Sequence, residues 1–212
     1  MRLALVTALL LAPAPTAMGA ANEQVAQAAA RLTAELAATS NTITLPNGST
    51  LRKTRTPGLV TTAASDRPWQ VYTNYGTDLD IDILDNGTGN GVPLLMWFYQ
   101  TTPNQLWHGE YADTPAPLYR FRNALSGKCM DVVGPNQANG TTVHQWECGY
   151  PSQTWQLYDS GFTSWNGKEV YFWMNTYTGK CLDVRGADPN AGARLQIWDC
   201  GTGVAKWNQL FY

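Results

Sequence analysis

The sequence predicts an all-β domain built from three copies of one unit, preceded by a signal peptide and a short N-terminal segment. Two observations carry the prediction. First, residues 179–200 (GKCLDVRGADPNAGARLQIWDC) repeat the order of residues 127–148 (GKCMDVVGPNQANGTTVHQWEC), and a degenerate copy occupies residues 80–99 (DIDILDNGTGNGVPLLMWFY). Internal repetition at this period decides architecture before any single motif does. Second, 19 glycines and 12 prolines punctuate short β-prone runs, and the repeats show no helical period.

The elements follow in order. Residues 1–20 carry one basic residue, an apolar run and small residues near the end, the form of a secretory signal peptide cleaved between Gly19 and Ala21. The run is too short to span a bilayer, and no other stretch is long and apolar enough, so membrane insertion is not expected. Residues 21–67 read as an N-terminal helix and linker segment. Val25, Ala29, Leu32 and Leu36 share one helical face. Asn47-Gly48 between short β-prone runs predicts a hairpin, and the basic cluster of Arg52, Lys53 and Arg55 reads as a solvated linker, as do residues 56–68.

The repeats fill residues 68–212, at about 68–116, 117–165 and 166–212. Asn74, Asn123 and Asn175 each precede Asp80, Cys129 and Cys181 by six residues. The aspartates Asp82, Asp131 and Asp183 follow, spaced by 49 and then 52. Then come Gly91, Gly140 and Gly192, the tryptophans Trp97, Trp146 and Trp198, and a last set aligned as Trp107, Trp155 and Trp207. One copy cannot bury an apolar face alone. Three copies about an axis share a core, and closing their strands into a barrel removes exposed edges.

Four cysteines in an exported chain predict two disulfides. Three pairings exist, and the repeat selects Cys129–Cys148 and Cys181–Cys200, both separated by 19. There is no Cys-x-x-Cys, and His108 and His144 lack ligand spacing, so no metal or other cofactor is expected. The net charge of −2 makes no electrostatic case for nucleic acid. Nine tryptophans exceed what one small core needs, which points some of them at a ligand.

Gln105-Leu106-Trp107 and Gln153-Thr154-Trp155 resemble the Gln-x-Trp signature of ricin B-type lectins. Cys129-Met130-Asp131-Val132 and Cys181-Leu182-Asp183-Val184 are similar to that family's Cys-x-Asp-Val. His144-Gln145-Trp146-Glu147-Cys148 and Gln196-Ile197-Trp198-Asp199-Cys200 are similar to its Gln-x-Trp-x-Cys. The resemblance covers the three repeats and implies a β-trefoil, a six-stranded barrel capped by three hairpins, with up to three sugar pockets.

A sugar pocket needs an aromatic face for the ring's C–H groups and a carboxylate for its hydroxyls. The Asp and first Trp of each copy fit these roles, and the resemblance assigns them so, with an Asn before the second Gln-x-Trp completing the pocket. The expected carbohydrate-binding residues are Asp82, Trp97, Asn104 and Gln105 in the first copy, with Leu95 in place of the family's glutamine. In the second they are Asp131, His144 and Trp146, with Ser152 where Asn is expected. In the third they are Asp183, Gln196 and Trp198. There Val204 and Ala205 stand in the Asn-Gln places, with Lys206 or Asn208 as substitutes, so the first copy reads as the more complete pocket. Single aspartate-to-alanine changes are expected to lower glycan binding without unfolding the domain.

These features predict a secreted, extracellular, non-catalytic lectin for galactose-type or related glycans. The alternative is a targeting or protein-docking subunit of a toxin or secreted enzyme complex, with a partner protein. Residues 22–67 hold only Glu23, Glu35 and Asp66 as acids and no histidine, and no Gly-x-Ser-x-Gly, His-Glu-x-x-His or phosphate loop is present. Asn47, Asn86 and Asn139 open sequons, of which the latter two sit on turn-forming Asn-Gly.

Overall fold

The computed structural model describes residues 66–113, 118–135, 137–164, 166–201 and 206–212. In the N-terminal region it describes 23, 26–28, 30–32, 34, 42–44, 50–53 and 58–59. The expected signal peptide, its cleavage site, and Val204 and Ala205 lie outside the described residues.

Strands β4 (Arg67–Gln70), β5 (Thr73–Asn74), β6 (Leu79–Ile83), β7 (Leu94–Trp97) and β8 (Trp107–Asp113) form the first repeat. The second contains β9 (Leu118–Asn123), β10 (Cys129–Val132), β11 (Val143–Trp146) and β12 (Trp155–Thr163). The third contains β13 (Glu169–Asn175), β14 (Lys180–Val184) and β15 (Leu195–Trp198). The barrel runs β4–β8–β9–β12–β13. Its last strand is reduced to Phe211, which bridges both Tyr171 of β13 and Asn74 of β5. Reciprocal bonds of 3.1 Å between the backbones of Thr73 and Tyr212 complete the closure. The hairpins β6–β7, β10–β11 and β14–β15 cap one end.

Period-two patterning builds the core. Along β9, Tyr119, Phe121 and Asn123 are buried while their neighbours are half-buried. Two residues before each repeated Asn stand Tyr72, Phe121 and Trp173, and their rings meet as a triangle. Centroids lie 5.3, 4.7 and 4.1 Å apart, the Phe121–Trp173 pair stacked and the Tyr72 contacts edge-on. Each repeat adds one fully buried aromatic beneath the hairpins: Trp107, Trp155 and Phe211.

The repeated asparagines explain how the copies lock together. Asn123 Nδ2 donates to Asn104 O of the first repeat at 2.8 Å, and Asn175 Nδ2 to Ser152 O of the second at 2.7 Å. Asn74 Nδ2 closes the cycle on Trp207 O and Leu210 O of the third, both at 3.1 Å. Their Oδ1 atoms accept backbone N–H groups of the turns that follow. All three are fully buried, so each joins one repeat's turn to the end of the preceding copy.

Both expected disulfides are present, with Cα–Cα distances of 5.1 Å (Cys129–Cys148) and 4.9 Å (Cys181–Cys200). In the first repeat Asp80 occupies the cysteine position, and its Oδ1 accepts a 2.6 Å hydrogen bond from Thr73 Oγ1. No helix among the described residues is long and apolar enough to cross a membrane.

Arg52, Lys53, Gly58 and Leu59, expected in a linker, lie in short strands. β1 (Thr42–Thr44) and β2 (Thr50–Lys53) pair antiparallel, while Asn47-Gly48 lies outside the described residues. β2 then pairs with β12 through Arg52 and Lys53, and β3 (Gly58–Leu59) pairs with β12 at Tyr158 and Asp159. Leu32 is fully buried in a cluster with Tyr158, Phe162 and Phe172, and Ala28, one helical turn earlier, packs beside it. β2 and β3 thus cover the otherwise open end of β12.

Candidate functional site

Each capping hairpin presents the same cross-strand pair: Asp82 opposite Leu95, Asp131 opposite His144, and Asp183 opposite Gln196. Behind each carboxylate a 3-10 turn delivers side-chain amides: Pro103–Gln105, Pro151–Gln153 and Trp207–Gln209. Asn104 Nδ2 donates to Asp82 Oδ1 at 2.5 Å and Gln105 Nε2 to Oδ2 at 2.8 Å. Gln153 Nε2 reaches Asp131 Oδ2 at 3.1 Å. Asp183 accepts three bonds, from Gln196 Nε2 at 2.9 Å, Asn208 Nδ2 at 2.7 Å and Gln209 Nε2 at 3.0 Å.

Two corrections follow from this geometry. In the third repeat Asn208 and Gln209 hold the amide places that the sequence reading gave to Val204 and Ala205, and Phe211, not Trp207, fills the place of Trp107 and Trp155. Trp207 instead lies over Gly76, where a methyl group would come within 2.1 Å of its ring. The third pocket is therefore complete, and the first is not the better supplied. Second, Gln105 is not a pocket residue. It is fully buried, its Nε2 shared between Asp82 and Phe98 O and its Oε1 accepting Gln100 N–H at 2.8 Å. Gln153 and Gln209 are bracketed in the same way, each tying its carboxylate to the chain that leaves the hairpin.

The other expected residues come together in three separate pockets. The first, about 250 Å³, is lined by Asp82, Asp85, Asn86, Leu95, Trp97 and Asn104. The second, about 470 Å³, is lined by Asp131, His144, Trp146, Tyr150, Ser152 and Tyr177. The third, about 380 Å³, is lined by Asp183, Arg185, Gln196, Trp198, Lys206 and Asn208. Asp85, Tyr150, Tyr177 and Arg185 were missed by sequence reasoning. Arg185 had a signal: it directly follows Val184, at the position Leu84 and Val133 hold in the other copies.

The tryptophans are set by the neighbouring repeat. A methyl group at Gly91 would lie 3.6 Å from the Trp146 ring, one at Gly140 3.9 Å from Trp198, and one at Gly192 3.8 Å from Trp97. The same glycines donate backbone N–H bonds to Gln145 O, Ile197 O and Met96 O. All three have positive φ, between 82° and 94°, where a side chain would be strained. Each copy thus supplies the support for the next copy's indole, in a closed cycle.

The electrostatics differ among the pockets. Burial pushes the Asp82 and Asp183 carboxyls above the usual carboxylate range, against the opposing effect of their amide donors. Burial acts on Asp131 too, but the polar groups of His144, Ser152 and Gln153 outweigh it, and its carboxyl lies below that range. His144 Nε2 stands 3.8 Å from Asp131 Oδ2, too far for a hydrogen bond. Asp131 Oδ1 and Asn104 Oδ1 are buried without a hydrogen-bond partner among the described residues. Groups of three or more potential metal ligands are absent among the described residues.

Fold and pockets together define a β-trefoil with one Asp-centred pocket per repeat. The family described as ricin-type beta-trefoil lectin domain-like matches residues 60–146, which together with the fold supports a ricin B-type β-trefoil domain. The designed three-fold symmetric protein ThreeFoil is 24% identical, with a TM-score of 0.57 over 68% of this chain and 95% of its own. An exo-beta-1,3-galactanase from Clostridium thermocellum is 23% identical, with a TM-score of 0.58 over 70% of this chain and 30% of its own. The Macrolepiota procera ricin B-like lectin in complex with lactose is 17% identical, with a TM-score of 0.54 over 71% of this chain and 94% of its own. At these identities the likeness is one of fold. No curated protein matches the chain.

Proposed function

We propose that the protein is a secreted, non-catalytic lectin that binds galactose-type or related glycans through its Asp/Trp pockets. One observation carries the reading. In every repeat a carboxylate held by at least one side-chain amide lies in a pocket with a tryptophan packed towards its neighbour's glycine. A carboxylate accepts from adjacent sugar hydroxyls, and the indole covers the ring's C–H face. Asn104 Oδ1 and Asp131 Oδ1 offer buried acceptors that a hydroxyl would satisfy. Lactose in the Macrolepiota procera lectin supports a galactose-type ligand.

A single shallow polar pocket binds weakly, near millimolar, or about −4 kcal/mol. Three pockets on one domain raise avidity for a branched or repeated glycan. The test is a glycan array on the mature protein beside the triple variant Trp97→Ala, Trp146→Ala, Trp198→Ala. Tryptophan variants are preferred because each aspartate also holds buried amides, so its removal changes stability as well as binding. Glycan binding that survives intact in the triple variant overturns the pocket assignment.

The second reading, a targeting module serving an enzyme or toxin, is favoured by the galactanase, whose matched region is 30% of its chain. Co-purification with an effector protein, together with an array empty of glycan binding, would decide for it.

A further inference from the structure

The three pockets share a carboxylate and a tryptophan but not a charge. The first adds Asp85 to Asp82, with no cation in its lining. The third adds Arg185 and Lys206 to Asp183, and so is net cationic. Resting on the lectin reading, we infer that the third pocket selects a sugar residue bearing an anionic substituent, a carboxylate or a sulfate, while the first selects a neutral one.

Arg185 is not a freely moving surface cation. Its Nε donates to Gln196 Oε1 at 3.1 Å, and its Nη2 to Gly140 O at 2.9 Å and Thr142 Oγ1 at 3.4 Å. All three acceptors are neutral, so its charge is positioned without being neutralised. Nη1 makes no hydrogen bond among the described residues. Gln196 passes the order on, because its Nε2 donates to Asp183 Oδ1 at 2.9 Å. The guanidinium, amide and carboxylate thus form one fixed row along the pocket. Lys206 lines the pocket beside Asn208 and makes no ion pair within 4 Å among the described residues. Its charge reaches Asp183 only through space. A planar guanidinium with a free donor edge suits an oxyanion, and a flexible ammonium adds charge from the rim.

The equivalent positions show that this is local to the third copy. Arg185 replaces Leu84 and Val133, and Gln196 replaces Leu95 and His144. The carboxylate of Asp183 still faces hydroxyls, so the pocket calls for a ligand with both hydroxyl and anionic groups, not a bare anion.

The test uses the full mature chain, 15N-labelled, with the indole signals of Trp97, Trp146 and Trp198 assigned by single Trp→Phe variants. Methyl galactoside, galacturonate and galactose 6-sulfate are titrated separately. At about 0.01 M salt, where charges reach across a pocket unscreened, the Trp198 signal is expected to respond to the acidic sugars at about fivefold lower concentration than to the neutral one. Trp97 shows the opposite order. At about 0.15 M salt the gap at Trp198 narrows. Lys206→Gln lowers the acidic preference at Trp198 about twofold and leaves Trp97 unmoved, since a rim charge contributes little to folding. Galacturonate and galactose 6-sulfate separate a carboxylate from a sulfate requirement, and preference for either supports the inference. Neutral sugar binding at any pocket with no acidic preference at Trp198 overturns the inference and leaves the lectin reading standing. Silence of all three indoles toward every sugar overturns both.

Discussion

The first and third repeats solve the same problem with different parts. The third clamps its hairpin with Cys181–Cys200 and surrounds Asp183 with three amide donors. The first replaces the disulfide with the Thr73–Asp80 hydrogen bond and gives Asp82 two donors, with Leu95 on the remaining side. Yet both place an aspartate below a tryptophan propped on a neighbouring glycine. The pocket depends on the turn and on the three-fold cycle. The covalent clamp sets how firmly the hairpin is held, and the variable side positions set what the pocket prefers.

Removing the clamp gives the largest expected effect. The double variant Cys181→Ser, Cys200→Ser opens a 19-residue separation and should cost about 3 kcal/mol on the chain-entropy model. Asp80→Asn, which weakens the first repeat's substitute bond, should cost about 1 kcal/mol. Denaturant unfolding of both variants measures the difference. Equal losses would mean that the hairpins are held by the core alone.

The aspartates come next. Asp183→Ala takes one acceptor from each of three amides and Asp82→Ala from each of two, so the expected costs are about 2 and about 1 kcal/mol, each with loss of sugar response at its own tryptophan. The order is set by the donor count. A larger loss at Asp82 would show that the first pocket is the more structural of the two.

Much of this was legible in the chain. The repeated Asn, Asp, Gly and Trp positions gave the three-fold closure and the disulfides, because residues fixed by backbone geometry recur at fixed register. The last motif was misread for a physical reason. Its turn glutamine, Gln209, comes 26 residues after Asp183, against 23 from Asp82 to Gln105 and 22 from Asp131 to Gln153, and its buried aromatic is Phe211. Trp207 nearby supplied a tryptophan at the expected spacing. The available signal was Asn208-Gln209-Leu210-Phe211, which copies Asn104-Gln105-Leu106-Trp107. Gln105 was read as a ligand contact because a motif records that a side chain is required, not which way its amide is spent. The pairing of β2 and β3 with β12 had no counterpart in the repeats, so periodicity could not find it.

Acidification should separate the pockets without any mutation. The Asp82 and Asp183 carboxyls are raised, so they take up protons first as pH falls, and their pockets lose a charged acceptor first. Asp131 is lowered and keeps its charge to lower pH. In a titration with a neutral galactoside, responses at Trp97 and Trp198 should fade at higher pH than the response at Trp146. Simultaneous fading would mean that the carboxylates do not carry the hydroxyl contacts.

The smallest effect tests the comparison most directly. Leu95 is buried opposite Asp82, where Gln196 stands opposite Asp183. Leu95→Gln would supply a third side-chain donor to a carboxylate that already has two side-chain amides. A net hydrogen bond contributes about 1 kcal/mol. The new amide must also be desolvated, because Leu95 is only 5% exposed. The balance predicts a rise of about twofold in neutral-sugar affinity at Trp97, within the range of one modest hydrogen bond. No new preference for acidic sugars should follow, because the substitution brings no cation and Leu84 still stands where Arg185 does. If acidic preference did follow, the amide rather than the guanidinium would be the selecting group, and the difference between the first and third pockets would reduce to that one position.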